Sequence, residues 1–433
     1  MKRNLAGLAA AAAIWVGLGV GAVPSSAQEQ TLTVWSHFAD HEGVRSFFRE
    51  VEALFESENP GVDLEMTFYE KNALFAAMTT ALQAGEGPDV IYLEPDRMQF
   101  VESGLVRPIE DPQILDRLED FAKRAWTYDG KVYGVGMQAF TVELYENEEL
   151  MAKVLESAGI ELGDDHQLTQ AEFLQAVETA GGMGITPVVQ GIGDRPYPGS
   201  YLTHELLLRK LGPDDYAALW AGKLSYKDPR VVEVFDYMKQ VIDAGAYPKT
   251  FTTLKLGESH AYFHTSPGGL TFPLGSWYSS RAFNPPDKGG QPADFQLGIM
   301  QFPAMDGGAC PECKTIGIAG TYAINAASEQ PDLALGFFEV ITREEMARKW
   351  VESTMVQTGV KTGSGTFGGE RAGYFQELND LGQGRTWFLG TPIDFLRGQC
   401  KETFVQVING AFPAGIIGPE DAIEQMEAAC YTG

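Results

Sequence analysis

Positive charge is scarce in this chain. Its 32 Lys and Arg face 59 Asp and Glu, for a formal net charge of −27. Nucleic-acid affinity rests on cations that neutralise phosphates, so that class is excluded. Anionic membrane surfaces and phosphate-rich ligands suit so acidic a chain no better, and the charge serves solubility. Two motifs that would announce chemistry are also missing. No Gly-rich phosphate loop follows the strands read at 31–35 and 90–93, which removes a nucleotide-binding Rossmann reading. No Gly-x-Ser-x-Gly nucleophile elbow occurs. After residue 27 no run is apolar enough to span a bilayer. Cysteine is limited to Cys310, Cys313, Cys400 and Cys430.

What is present starts with an export signature. Lys2 and Arg3 precede an apolar run rich in Ala and Gly, and Ser25-Ser26-Ala27 offers small residues for cleavage before Gln28. No Cys follows the run to carry a lipid anchor. The expectation is a cleaved signal at 1–27 and a soluble mature protein in a bacterial periplasm. Losing two cations and no acids leaves that mature chain more acidic still. The remainder is too long for one core, so two lobes are expected. Four cysteines in an exported chain invite disulfides. The favoured pairing is 310 with 313 and 400 with 430, although four cysteines allow three pairings.

Periodicity supplies the architecture around the stretch 84–95. Ala73, Leu74, Ala77, Met78, Ala81 and Leu82 recur at helical spacing, and Gly85, Gly87 and Pro88 stop that helix. Residues 90–93 form a continuous apolar run, as in a strand covered on both faces. Glu94-Pro95-Asp96 leaves its carboxyl end, the edge that faces the ligand crevice in open α/β sheets. Glu94 is thus a ligand-contact candidate, against the plainer role of solvating a loop. Upstream, 31–35 reads as a strand and 36–41 as the loop after it. Val44, Phe47, Phe48, Val51, Leu54 and Phe55 mark a helix face, and 62–69 alternates as a strand. The β-α-β-α-β order predicts a parallel sheet with right-handed crossovers.

Further motifs resemble a known family in their order. They include Phe55-Glu-Ser-Glu-Asn-Pro60-Gly61-Val62, Gly87-Pro88-Asp89-Val90, Gly104-Leu105-Val106-Arg107-Pro108 and Tyr133-Gly134-Val135. Leu144-Tyr145-Glu146-Asn147, Asp228-Pro229-Arg230, Gly275-Ser276-Trp277, Thr321-Tyr-Ala-Ile324-Asn325 and Pro419-Glu420-Asp421 continue the series. Across nearly the whole mature length the chain resembles extracellular solute-binding proteins of carbohydrate-importing ATP-binding cassette transporters, relatives of maltose-binding protein. Two departures stand out. Glu146 takes the place of a usual second Tyr, and Thr358-Gly359-Val360-Lys361-Thr362-Gly363 lacks the family's Gly closely followed by Pro.

The resemblance implies an α/β, two-lobed periplasmic-binding-protein fold with hinge crossings and an interlobe ligand cleft. Crossings near Phe140, Phe302 and Arg343 would divide it into lobe one, 28–139 plus 303–343, and lobe two, 140–302 plus 344–433. It implies capture of a sugar or polyol, delivery to transmembrane permease subunits, no cofactor, no catalysis and a monomeric chain. A sugar site needs flat rings for its C–H faces and polar groups for its hydroxyls. Trp277, after Gly275 and Ser276, is the leading aromatic. Ser36, His37 and Phe38 follow the first strand, Gln138 and Phe140 flank a crossing, and Gly320-Thr321 could present amides. Arg371, Trp387 and Phe388 are weaker candidates from the C-terminal region, and Tyr145 is expected to brace the hinge.

Two other classes stay open at this stage. A secreted glycoside hydrolase would need two facing carboxylates, and Asp89, Glu94 and Asp96 are of the right type. A metal-ion receptor would use the four-residue spacings His37/His41 and His260/His264, which chelate when they fall on a helix.

Overall fold

The structure is a computed structural model that describes residues 30–39, 41–265, 268–368 and 372–433. The proposed signal at 1–27 and Arg371 lie outside the described residues. Among the described residues no helix is long and apolar enough to cross a membrane.

The first sheet follows the expected plan. Strand Gln30–Ser36 lies between Val62–Phe68 and Val90–Leu93, parallel to both. Thr321–Asn325 joins antiparallel beside Val90–Leu93, and Val106–Arg107 beside that. Helix Glu42–Glu58 buries Val44, Phe47, Phe48, Val51 and Phe55, while Leu54 stays half-buried. Helix Lys71–Ala84 starts where the Glu70 carboxylate accepts the amides of Asn72 and Ala73. It ends at Gly85, whose φ of 71° an L side chain would resist. Asp89 accepts the Thr33 amide and hydroxyl at 2.9 and 2.8 Å and the Ser328 hydroxyl at 2.6 Å. It ties three segments together and is no free acid for catalysis.

The second sheet runs Thr186–Val188, Gly269–Gly275, Ala139–Asn147, Leu297–Ala304, Gln167–Thr169. Cys313–Ile318 also pairs antiparallel with the start of Ala139–Asn147, and Thr386–Leu389 pairs with Cys313–Ile318. This pairing differs from the division expected at 302. The chain stays in the second sheet through Ile318 and returns to the first only at 319–321. The crossing expected near Arg343, which would give 344–433 to lobe two, is displaced likewise. Glu344–Thr354 packs on the first lobe, where the Trp350 ring meets Phe47 at 5.3 Å. A strand such as 313–318, nearly all of it buried, can serve either sheet, and only the partner strand decides.

Three chain passages connect the sheets, and they are bonded to one another. The Gln138 amide donates to Gly320 O at 2.9 Å and the Ala319 amide to Gln138 O at 2.8 Å. The Ala139 amide donates to Gln357 O, and the Gly359 amide to Gly136 O. Glycine is required for this closeness: a Cβ on Gly359 would lie 2.7 Å from the Gly136 oxygen.

Both expected disulfides form, Cys310–Cys313 and Cys400–Cys430. The second joins helix Gly398–Gln406 to the last helix, Pro419–Cys430, across 30 residues. In the chain-entropy account a loop of that size contributes about 3–4 kcal/mol. Cys400→Ser with Cys430→Ser is therefore expected to lower the denaturant midpoint clearly. Removing the 310–313 bridge, which closes a three-residue separation, should move it less.

Candidate functional site

A cavity of about 300 Å³ lies between the two sheets. The first lobe lines it with the loops that leave its parallel strands. His37 and Phe38 follow Gln30–Ser36, and Glu94 follows Val90–Leu93. Phe38 adopts φ 84°, rare for a bulky residue. Its ring lies 4.4 Å from the His37 ring and edge-on to Tyr92 and Trp350. Such strain persists only when the surroundings hold it, and it collects at ligand sites. Burial, reinforced by Lys71, depresses His37 to about 3, so its imidazole is neutral, and its Nδ1 has no hydrogen-bond partner.

Glu94 is not a free carboxylate. Lys71 Nζ is 2.6 Å from it, and the Tyr92 hydroxyl donates to it at 2.9 Å. Burial would raise its carboxyl, but Lys71 outweighs that and holds it below the usual range. The Lys71 amine also lies 5.7 Å over the Tyr197 ring of the second lobe.

The second lobe answers with Trp277, in the turn that follows strand Gly269–Gly275. Its indole lies directly against Gly275, where a Cβ would be 2.1 Å from Nε1. Glycine there is what lets the ring fold back. Tyr197 is edge-on to Trp277 at 6.5 Å, and His260 is tilted to it at 5.9 Å. Gln138 and Phe140, at the first crossing, border the same space.

The lobes also touch across the gap. Arg195 reaches Glu70 at 3.2 Å, and Lys401 donates to the Asp96 carbonyl at 3.2 Å with its carboxylate at 3.5 Å. Behind them Burial pushes the Asp394 carboxyl up to about 7; Thr391 opposes the rise and Asp96 adds to it.

The structure thus brings His37, Phe38, Glu94, Gln138, Phe140 and Trp277 to one cavity. Ser36 and Thr321 are not part of its lining. The Ser36 hydroxyl pairs with the Tyr322 hydroxyl at 2.6 Å, and Thr321 turns to Ala319 O at 3.2 Å. Ser276 acts at the hinge instead, accepting the Thr141 amide and donating to Gln357. Trp387 is half exposed on an outer strand, and Phe388 packs on Tyr216. Tyr145 is buried and shares a hydroxyl contact of 2.8 Å with Tyr374. His260 lines the cavity, whereas His264 Nδ1 lies 3.2 Å from the Tyr278 hydroxyl. Among the described residues no group of three or more His, Cys, Asp and Glu is placed to hold a metal.

Sequence reasoning missed Lys71, Tyr92, Arg195, Tyr197, His204 and Asn409. For Arg195 and Tyr197 a signal existed: Asp194-Arg195-Pro196-Tyr197-Pro198 is a polar-aromatic loop after strand Thr186–Val188.

Two α/β lobes, three bonded passages and a polar-aromatic cavity between them define a cleft-type binding protein. The model of the bacterial extracellular solute-binding protein family matches residues 52–362, and the chain belongs to that family. A Brucella abortus relative named only as a binding protein is 29% identical over 148 residues, 33% of this chain and 35% of that protein. A maltotriose-binding protein of Pyrococcus abyssi is 30% identical over 95 residues, 21% of each. The chain therefore matches about a third or less of the length of these curated relatives. Among solved structures, one described as a chitin oligosaccharide binding protein has a TM-score of 0.78 at 21% identity, covering 93% of this chain and 98% of its own. Another, from work on xylan utilization by Caldanaerobius polysaccharolyticus, has a TM-score of 0.77 at 20% identity over 92% and 99%. At these identities the likeness establishes the fold.

Proposed function

We propose that the chain captures a neutral polyhydroxylated solute, a sugar or polyol, in the interlobe cavity and delivers it to permease subunits of an ATP-binding cassette importer. One observation carries the reading: charged side chains at the cavity are paired with one another, while the Trp277 ring borders it and several polar atoms of its wall lack a partner. Lys71 is paired with Glu94, Arg195 with Glu70 and Asp96 with Lys401. His37 is neutral at physiological pH. Trp277 offers a flat face, and His37 Nδ1 and both His260 nitrogens lack partners. A sugar supplies C–H faces for the ring and hydroxyls for those atoms. A charged ligand would leave its own charge uncompensated in the same space.

On this reading lobe one is 30–138 with 319–361, and lobe two is 139–318 with 362–433. The mature protein works in the periplasm as a monomer after removal of 1–27, without a cofactor and without turning over its ligand. The similarity to a chitin oligosaccharide binding protein and a maltotriose-binding protein supports the sugar class.

Thermal melting against sugars, polyols, amino acids and zinc tests it. A ligand at about 100-fold its Kd adds roughly 2.7 kcal/mol, a shift on the order of 5 °C. A shift with one sugar or polyol group is expected. A shift with zinc or an amino acid alone would overturn the reading, as would enzyme-like cleavage of a bound oligosaccharide.

A further inference from the structure

The second lobe holds a polar corner at the cavity wall. Residues Val407–Ala411 wind as a π-helix at the end of helix Gly398–Gln406. π turns are rare and recur at functional sites. This one packs on the short turn Tyr197–Ser200, where a Cβ on Gly199 would lie 2.1 Å from the Asn409 carbonyl oxygen. The contact sets Asn409 near the start of helix Tyr201–Leu211, whose first turn carries His204. Both residues border the interlobe cavity.

Both are also enclosed, Asn409 at 0% and His204 at 1% exposure. None of the four polar side-chain atoms has a hydrogen-bond partner: Asn409 Nδ2 and Oδ1, His204 Nδ1 and Nε2. Glu205 Oε1 comes no nearer to His204 Nδ1 than 3.8 Å, beyond hydrogen-bond reach, and its other oxygen is held by Arg209 at 2.6 Å. Buried polar groups in folded proteins are nearly always paired, so orphans concentrated at a cavity wall point to a partner that arrives with the ligand.

Their chemistry narrows that partner. The Asn409 amide offers two N–H donors and a carbonyl acceptor. Burial, with Arg209 adding to it, depresses His204 to about 3, so the ring is neutral, with one donor and one acceptor. A carboxylate would satisfy only the donors, and an ammonium only the acceptors. A hydroxyl both donates and accepts. We propose that His204 and Asn409 form a specificity subsite in which the second lobe reads hydroxyls of the captured sugar or polyol. The inference rests on the function proposed above and assigns residues to it.

The test uses the full mature chain, Asn409→Leu, Asn409→Ala and His204→Leu. Each is titrated calorimetrically with maltose, raffinose, xylobiose, N,N′-diacetylchitobiose and myo-inositol, with glutamate and arginine as charged controls. The compound that binds wild type is expected to bind each variant at least about tenfold more weakly. The ligand-free melting temperature of Asn409→Leu is expected to equal or exceed that of wild type, since the change removes unpaired buried atoms. Variants that bind as tightly as wild type overturn the subsite and leave the proposed function standing. A marked fall in ligand-free melting for both Asn409 variants also overturns it, because the amide would then be paired within the empty fold. A wild type that binds only the charged controls, or none of the panel, overturns both.

Discussion

Lys314→Ala is expected to cost the second lobe about 3–5 kcal/mol of stability, the usual effect of orphaning one member of a buried ion pair. Lys314 Nζ and Glu143 Oε2 are 2.5 Å apart, with side chains 2% and 1% exposed. Glu143 sits within strand Ala139–Asn147, buried at every position but the last, and also accepts the Thr141 hydroxyl. Without Lys314 the carboxylate would have neither solvent nor counter-ion. The double change Lys314→Met with Glu143→Leu should recover most of the loss, because no charge is then stranded. Denaturant midpoints of Lys314→Ala and of the double variant decide it. A Lys314→Ala midpoint within error of wild type would sink the argument. The pair lies two residues beyond the Ile316–Thr141 register partners, on the side away from the crossing at Ile318 and Ala139, so it pins the two strands together inside the lobe.

Trp277→Ala is expected to weaken binding of the sugar or polyol by about 2–4 kcal/mol, roughly 30- to 700-fold. The ring is a large flat surface, half-buried at the cavity wall and held by its fold against Gly275. The loss should appear in affinity far more than in melting temperature, since the fold does not enclose the whole indole. Trp277→Phe should retain part of the affinity. Gly275→Ala is the sharper variant: it keeps the indole but forces it from its place, so affinity should fall with the aromatic still present. Calorimetry on the three variants separates ring chemistry from ring position. Wild-type affinity in Trp277→Ala would remove Trp277 from the site.

The sequence announced the first lobe's wall far better than the second's. Strands at 31–35 and 90–93 are legible from alternation and from a continuous apolar run, and the loops at their carboxyl ends follow from the topology of parallel sheets. The sequence alone therefore places His37, Phe38 and Glu94 at the crevice edge of the sheet. Ser36 could not be separated from them by position alone. It ends its strand, and its hydroxyl faces inward to Tyr322. On the second lobe, Tyr197, His204 and Asn409 come from segments far apart in sequence, brought together by helix and turn packing. Hydrophobic periodicity records which side of a helix is buried. It does not record that the buried side borders a cavity, and His204 lies in a helix whose residues are all buried. The same limit explains the displaced crossings: the sheet that 313–318 joins is decided by its partner Ala139–Asn147, far away in sequence.

The three passages between the lobes have a consequence for the size of cargo. Each is bonded to another, and glycines let them sit almost in contact. Such a joint permits swinging but not sliding, because a slide would break all of its cross-bonds together. The width of the gap is therefore set by the angle between the lobes. A molecule too long for the chamber cannot be accommodated by a sideways shift of one half. It would prop the jaws apart and keep Arg195 from Glu70 and Lys401 from Asp96. Length, as well as chemistry, would then decide which cargo is carried with the jaws shut.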